Sequence, residues 1–314
     1  MTYGTSDLRR DGVAVSPIPL LWWVAGLVYL LAFLWLAMRS RVYIDQVWIV
    51  EYGRRLLDPN FGWSMYMRPD GTSPPPWAWL GPLLAELSFR LGGLLPFRLL
   101  AALAGLVAAF SFARLAQCYG ATSGLAVLIS GTLLLDPSVV QSIQVGRADS
   151  LALAMLLGGL LLATRAADSL HAGKGGWGRL ALGYGICAMA PAAWISALLL
   201  GPLAALHWAA SWRSLARAAG VNYTPTRAMV AFLCVPALAF LVAVALPVML
   251  SLDIAADSGD PWLVLGLYRD PAYFLGYLSH ELSVSAVLMI VGLVALVKLR
   301  PRWLAGFLLA GIAM

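Results

Sequence analysis

Apolar runs about as long as a bilayer is thick recur along this chain from Leu20 almost to its last residue. A hydrocarbon core of about 30 Å takes about 20 apolar residues of helix, with a range near 17–25. On that ruler the expected spans are 20–38, 97–117, 123–141, 150–166, 177–190, 194–210, 228–250 and 282–298. The two runs flanking Pro191 are short, so one kinked helix is the alternative to two spans there. Hydrophobic residues make up 61% of the chain and charged residues 11%, against roughly 45–50% and about 25% in soluble domains. Such a chain cannot cover itself with polar surface, so lipid is its solvent. Its formal charge of +6 therefore gives no reason to expect a nucleic-acid partner. The expected fold is all-α, a polytopic transmembrane bundle of about eight to nine spans.

The ends fit this frame. Residues 1–19 read as a polar cytoplasmic tail ahead of a retained anchor, because the first run lacks a signal-peptide cleavage pattern. Residues 20–314 read as one transmembrane domain. The last run, 303–314, is too short to span, and further sequence is expected beyond it. Cys118, Cys187 and Cys234 lie inside apolar runs with the spacing of neither a zinc site nor a disulfide framework.

Basic residues in short loops set orientation. Arg213, Arg217 and Arg227 lie in 211–227 without an acidic neighbour, and Arg165, Lys174 and Arg179 lie in 164–179 against Asp168 alone. With Lys298, Arg300 and Arg302, these segments are assigned to the cytoplasm. The loops 39–96 and 251–281 then face outward, and 251–281 carries Asp253, Asp257, Asp260, Asp270 and Glu281 against Arg269. The expected setting is a cell (inner) membrane with the amino terminus inside.

Three outer segments could carry chemistry. In the first, Ile44 to Leu57 has helical length, and Asp45, Trp48, Ile49, Tyr52 and Leu56 fall on one stripe. A helix of this kind lies in the membrane interface. Asp45 is there either a general base, favoured by partial desolvation, or a helix N-cap. Glu51 reads as the partner of Arg54 or Arg55. The second segment runs from Arg68 through Ser73-Pro-Pro-Pro-Trp77 to Trp79, with Arg68 either phosphate-binding or solvated and Trp77 at headgroup level. The third is Gly146-Arg147-Ala-Asp149-Ser150, where Asp149 or Ser150 would cap the following helix. Arg147 and Arg269 are further candidates for a lipid phosphate. His280-Glu281 offers too few ligands for zinc. No Walker loop, Rossmann glycine pattern or nucleophile elbow occurs in the sequence.

The order of these pieces carries a resemblance. An anchor helix is followed by Tyr43-Ile-Asp45-Gln46, then Ser73-Pro-Pro-Pro-Trp77, Phe97-Arg98-Leu-Leu-Ala-Ala-Leu-Ala-Gly105 and Gly146-Arg147-Ala-Asp149-Ser-Leu-Ala-Leu153. This resembles the amino-terminal half of the GT-C superfamily of membrane glycosyltransferases. The likeness is greatest to the branch with protein O-mannosyltransferases and the lipid A aminoarabinose transferase, and covers about residues 20–165. Three positions depart from that branch: Gln46 where Glu is usual, Ser73 where His is common and Ala148 where Pro is common.

The resemblance implies a polyprenyl-phosphate-sugar donor, inversion at the anomeric carbon, and a lipid, glycan or protein acceptor outside the membrane. It implies Asp45 as catalytic base and Asp149 as the later acidic position. From charge and location rather than from the resemblance, Arg147, Arg68 and Arg269 are assigned to donor phosphate, and Trp48, Tyr52 and Trp77 to the acceptor or the interface. No cofactor is expected. The rival readings are a secondary transporter or lipid-linked-sugar flippase, and a non-catalytic scaffold of the same fold. Transporters tend to carry ionisable residues at mid-membrane and internal repeats, whereas here the candidates lie at span edges.

Overall fold

The computed structural model describes residues 20–39, 42, 44–58, 78–119, 121–135, 137–194, 197, 200–218 and 223–250. These residues form helices and short connections, with no strand among them. In chain order the helices are α1 (Leu20–Arg39), α2 (Ile44–Leu57), α3 (Leu80–Gly92), α4 (Leu94–Cys118), α5 (Ser123–Leu135) and α6 (Pro137–Val145). There follow α7 (Asp149–His171), α8 (Trp177–Ala193), α9 (Gly201–Arg217) and α10 (Pro225–Met229). A π-helical turn, Val230–Cys234, joins α10 to α11 (Val235–Leu250). Among the described residues, three helical runs are long and apolar enough to cross a bilayer: Leu94–Cys118, Asp149–His171 and Pro225–Ala243. Val24–Arg39 and Ser123–Leu135 are shorter apolar helices. The described residues are those of an all-α membrane protein.

The structure redraws several expected boundaries. The run 123–141 falls on α5, which reaches Leu135, and α6, which begins at Pro137, with residue 136 between them outside the described residues. The expected span 194–210 is displaced, since α8 stops at Ala193 and α9 runs Gly201–Arg217. Pro191 sits inside the last turn of α8, where few downstream helical bonds remain to be lost. The pair around Pro191 is thus two helices. The expected span 282–298 and the loop 251–281 lie outside the described residues.

Helices α7 and α8 form the tightest seam, and small residues make it possible. A Cβ added at Gly159 would lie 2.6 Å from both the Gly183 carbonyl oxygen and the Cys187 sulfur. One added at Gly183 would lie 2.7 Å from the Ala163 nitrogen. Around this seam Ala152, Leu156, Leu160, Ala190 and Ala193 pack with Ala104 and Ala108 of α4 into the largest buried cluster. Helix α9 runs parallel to α7, held by hydrogen bonds one heptad apart, Thr164–His207 at 2.9 Å and His171–Ser214 at 3.0 Å. Thr164 already donates its hydroxyl proton to Leu160 O, so it accepts from His207 Nε2, and Nδ1 accepts from Tyr184.

These contacts give the molecule two polar ends. The starts of α4, α7 and α9 and the ends of α1 and α8 share one end with α2 and α3. The opposite ends of α4, α7 and α9 meet the starts of α5, α8 and α10. Ring contact between Trp177 and Tyr223, centroids 6.0 Å apart, joins the α8 and α10 starts at that far end.

Candidate functional site

Helices α2 and α3 build the site end. Neither belongs to the runs long and apolar enough to cross a bilayer. Of the expected stripe of α2, Ile49 and Tyr52 are buried and Leu56 is partly buried. Gln46, Val50 and Gly53 are buried as well, so the covered face is wider than the stripe. Gly53 allows α3 to lie against α2, since a Cβ there would be 2.0 Å from the Pro82 carbonyl oxygen. Burial pushes the Tyr52 phenol up to about 12, opposed in part by Arg55. Tyr52 is therefore a packing residue in this structure.

The sequence pairs Glu51 with Arg54 or Arg55, and in the structure Arg54 reaches across to α3. Its Nε donates to Glu86 Oε1 at 3.1 Å, and Arg90 Nε reaches the same oxygen at 2.8 Å. Glu86 has no solvent exposure and is clamped by two arginines. Sequence reasoning passed over it inside the apolar stretch 77–91, although Arg90 one turn later was a signal of an ion pair.

The first and third sequence segments come together through Arg98. This arginine lies in the first turns of α4 and is buried. Its Nη2 donates to Gln46 Oε1 at 2.7 Å, and its Nη1 donates to the Ala37 carbonyl. The end of α1, the start of α2 and the start of α4 thus meet on one guanidinium. Gly146 lies against the same pair, where a Cβ would be 3.1 Å from Arg98 Cγ and 3.2 Å from Gln46 Nε2. With φ of +66°, Gly146 also occupies backbone space that side chains resist. Arg98 was read from sequence only as part of an apolar run, and its role is the main one missed.

Beyond Gly146 the chain turns into α7. Arg147 Nε lies 2.9 Å from Asp149 Oδ2, and Ser142 donates to that oxygen at 3.2 Å. The expectation that Asp149 or Ser150 caps α7 is corrected: Ala148 is the N-cap residue and no side chain bonds there. Asp149 is the first helical residue, where the helix dipole favours a negative charge. The guanidinium of Arg147 also stands 5.6 Å from the Trp194 ring centroid, just past α8. Trp79 N bonds Ala192 O at 3.0 Å, and Gly81 packs on Ala148 and Ala193. Two buried donor atoms near Arg147, Trp79 Nε1 and Ser150 Oγ, have no hydrogen-bond partner among the described residues.

Asp45 is the second residue of α2, next to Gln46, which places its backbone inside the helix rather than at an N-cap position. The side chains of Asp45 and Trp48 lie outside what is described, as do Arg68, Trp77 and Arg269 altogether. Among the described residues no group of three or more His, Cys, Asp or Glu is arranged to hold a metal. No protein-family model matches the chain, and no curated protein matches it.

Proposed function

We propose that this chain is a membrane glycosyltransferase that takes a sugar from a polyprenyl-phosphate donor and passes it to an acceptor at the extracytoplasmic face. The observation that carries the reading is the convergence of Gln46, Arg98, Gly146, Arg147 and Asp149 at one end of the bundle. Three of the segments that resemble GT-C transferases, those holding Gln46, Arg98 and Gly146–Asp149, are thus neighbours in space as well as ordered in sequence. The unpartnered donors of Trp79 and Ser150 add support, because buried donors call for acceptor oxygens and sugars and phosphates are rich in them.

In this reading Asp45 takes the proton of the acceptor hydroxyl as its oxygen attacks the anomeric carbon. The bond to the donor phosphate breaks with inversion, and polyprenyl phosphate leaves with the electron pair. Arg147 offsets the charge of that phosphate, oriented by Asp149 and the Trp194 ring. Arg68 and Arg269 would assist from the loops, with Trp48 and Trp77 lining the acceptor approach. The site end is extracytoplasmic because the far end carries Arg165, Lys174, Arg179, Arg213 and Arg217 against Asp168.

The test is sugar transfer in membranes expressing the chain, supplied with radiolabelled polyprenyl-phosphate sugars, for wild type and Asp45→Asn. The expected result is donor turnover by wild type and binding without turnover by the variant. Equal turnover by both would remove Asp45 from the mechanism. Movement of a lipid-linked sugar between leaflets without turnover would replace the transferase reading with a flippase.

A further inference from the structure

Arg98 stands in Leu94–Cys118, a run long and apolar enough to cross a bilayer, and its side chain is buried. A charged group in such a place is costly and marks a functional position by default. Its neighbours on α4, Phe97, Ala101 and Ala102, are apolar and buried, so packing alone does not call for a guanidinium there.

What the guanidinium does is join separate pieces of chain. Its two arms act on different helices, Nη2 donating to Gln46 Oε1 at 2.7 Å and Nη1 to the Ala37 carbonyl. A planar fork holds both directions at once, which the single ammonium of a lysine on its flexible stem does not. Gly146 lies so close that a Cβ there would be 3.1 Å from Arg98 Cγ and 3.2 Å from Gln46 Nε2. Gln46 directly follows Asp45 in the first turn of α2, and Gly146 directly precedes Arg147. Arg147 has its own partners in Asp149 and the Trp194 ring. A shift of α2 against Gly146 would therefore move the backbone of Asp45 relative to Arg147 without removing those partners.

We infer that Arg98 is a positioning residue for sugar transfer, an assignment that rests on the transfer reading of this site. Through Gln46 and Gly146 it fixes the turn that carries the base Asp45 against the turn that carries the phosphate-binding Arg147. Base and cation act on one reacting centre together, and a misplacement of about 1 Å can cost about a hundred-fold in rate.

The experiment measures binding and turnover of a radiolabelled polyprenyl-phosphate sugar in membranes expressing the full chain. Rates are counted per donor-binding site, so that chains that fail to fold do not enter kcat. Gln46→Leu removes the α2 partner of Arg98 and keeps Arg98 itself. It is expected to lower kcat per site about ten-fold or more and to leave KM within about two-fold. Gln46→Glu supplies an acceptor again and should stay within about three-fold of wild type in kcat. Arg98→Lys keeps a charge without the fork and should behave like Gln46→Leu. Unchanged kcat per site in Gln46→Leu, with wild type active, would overturn the positioning role and leave the transfer reading standing. So would an equal loss in Gln46→Leu and Gln46→Glu. A rise in KM with kcat unchanged would place the guanidinium in donor binding and overturn the assignment too. If wild type turns over no donor, the transfer reading itself fails and the assignment falls with it.

Discussion

Arg98 Nη2 donates to Gln46 Oε1 at 2.7 Å, so one buried hydrogen bond ties the first turn of α2 to a membrane helix 52 residues later in the chain. The same guanidinium holds Ala37 at the end of α1, and Gly146 closes over the pair. Gln46→Leu removes the acceptor while the guanidinium stays buried. It should cost about 1–3 kcal/mol, as for hydrogen bonds to buried charged groups. Gln46→Glu supplies a charged acceptor of similar shape and should keep the melting temperature near or above that of wild type. Thermal unfolding in detergent micelles separates the two. If Gln46→Leu melts like wild type, the bond does not hold α2 in place.

What the sequence made legible follows from periodicity and from its limits. The burial of Ile49 and Tyr52 could be read because helical spacing puts them on one stripe. The burial of Gln46 and Glu86 could not, since each depends on an arginine that only tertiary folding brings near. Arg54 and Glu86 are 32 residues apart, and no local rule selects that partner over Glu51. In the site itself, Gly146, Arg147 and Asp149 were legible as a local motif. Their contact with Gln46 and Arg98 was not, because it joins the starts of three helices far apart in sequence.

The α7–α8 seam leaves no room for a methyl group at Gly159 or Gly183. Gly159→Ala would force atoms apart that lie 2.6 Å from the new carbon, on the backbone as well as on Cys187. We expect destabilisation of about 1–3 kcal/mol from overpacking. Gly178 in the first turn of α8 meets nothing within 4 Å, and Gly178→Ala should be neutral or slightly stabilising. Melting curves of the two variants, measured side by side, should move in opposite directions or at least differ clearly.

Glu86 is buried between Arg54 and Arg90, whose side chains are 32% and 55% exposed. Glu86→Gln keeps the shape and removes the charge both arginines use. Solvent screens these partners, so the loss should be about 1–2 kcal/mol, below that of a fully buried pair. Glu86→Ala would also vacate volume at the α2–α3 contact and cost more. Limited proteolysis of α2 and α3, followed over time, should rank wild type, Gln and Ala in that order of resistance.

Burial holds the Tyr52 phenol at about 12, against 10.0 for an ordinary tyrosine. Between those values the unfolded chain has lost the proton and the folded chain still holds it. Stability is therefore unaffected by this group below about pH 10 and falls as pH rises toward 12. Tyr52→Phe should flatten that alkaline limb, although other tyrosines will leave some slope. The check is the midpoint of alkaline unfolding for both proteins. An unchanged midpoint would mean that Tyr52 ionises as freely in the folded chain as in the unfolded one.

Arg147 and Asp149 make the last and most functional prediction. Arg147 Nε lies 2.9 Å from Asp149 Oδ2, and Ser142 steadies the same oxygen. If Arg147 binds donor phosphate, Arg147→Gln should raise the KM for a polyprenyl-phosphate sugar more than it lowers kcat, by about ten-fold or more. Arg147→Lys should recover part of the loss, because a lysine supplies charge without the planar fork. Asp149→Asn keeps a hydrogen-bond acceptor for Ser142 but loses the charge that orients Arg147, so its defect should be smaller and also fall on KM. Ser142→Ala should be milder still. A kcat defect in Asp149→Asn with KM unchanged would instead put Asp149 at the reacting atoms. Arg147 would then serve that carboxylate, not the phosphate.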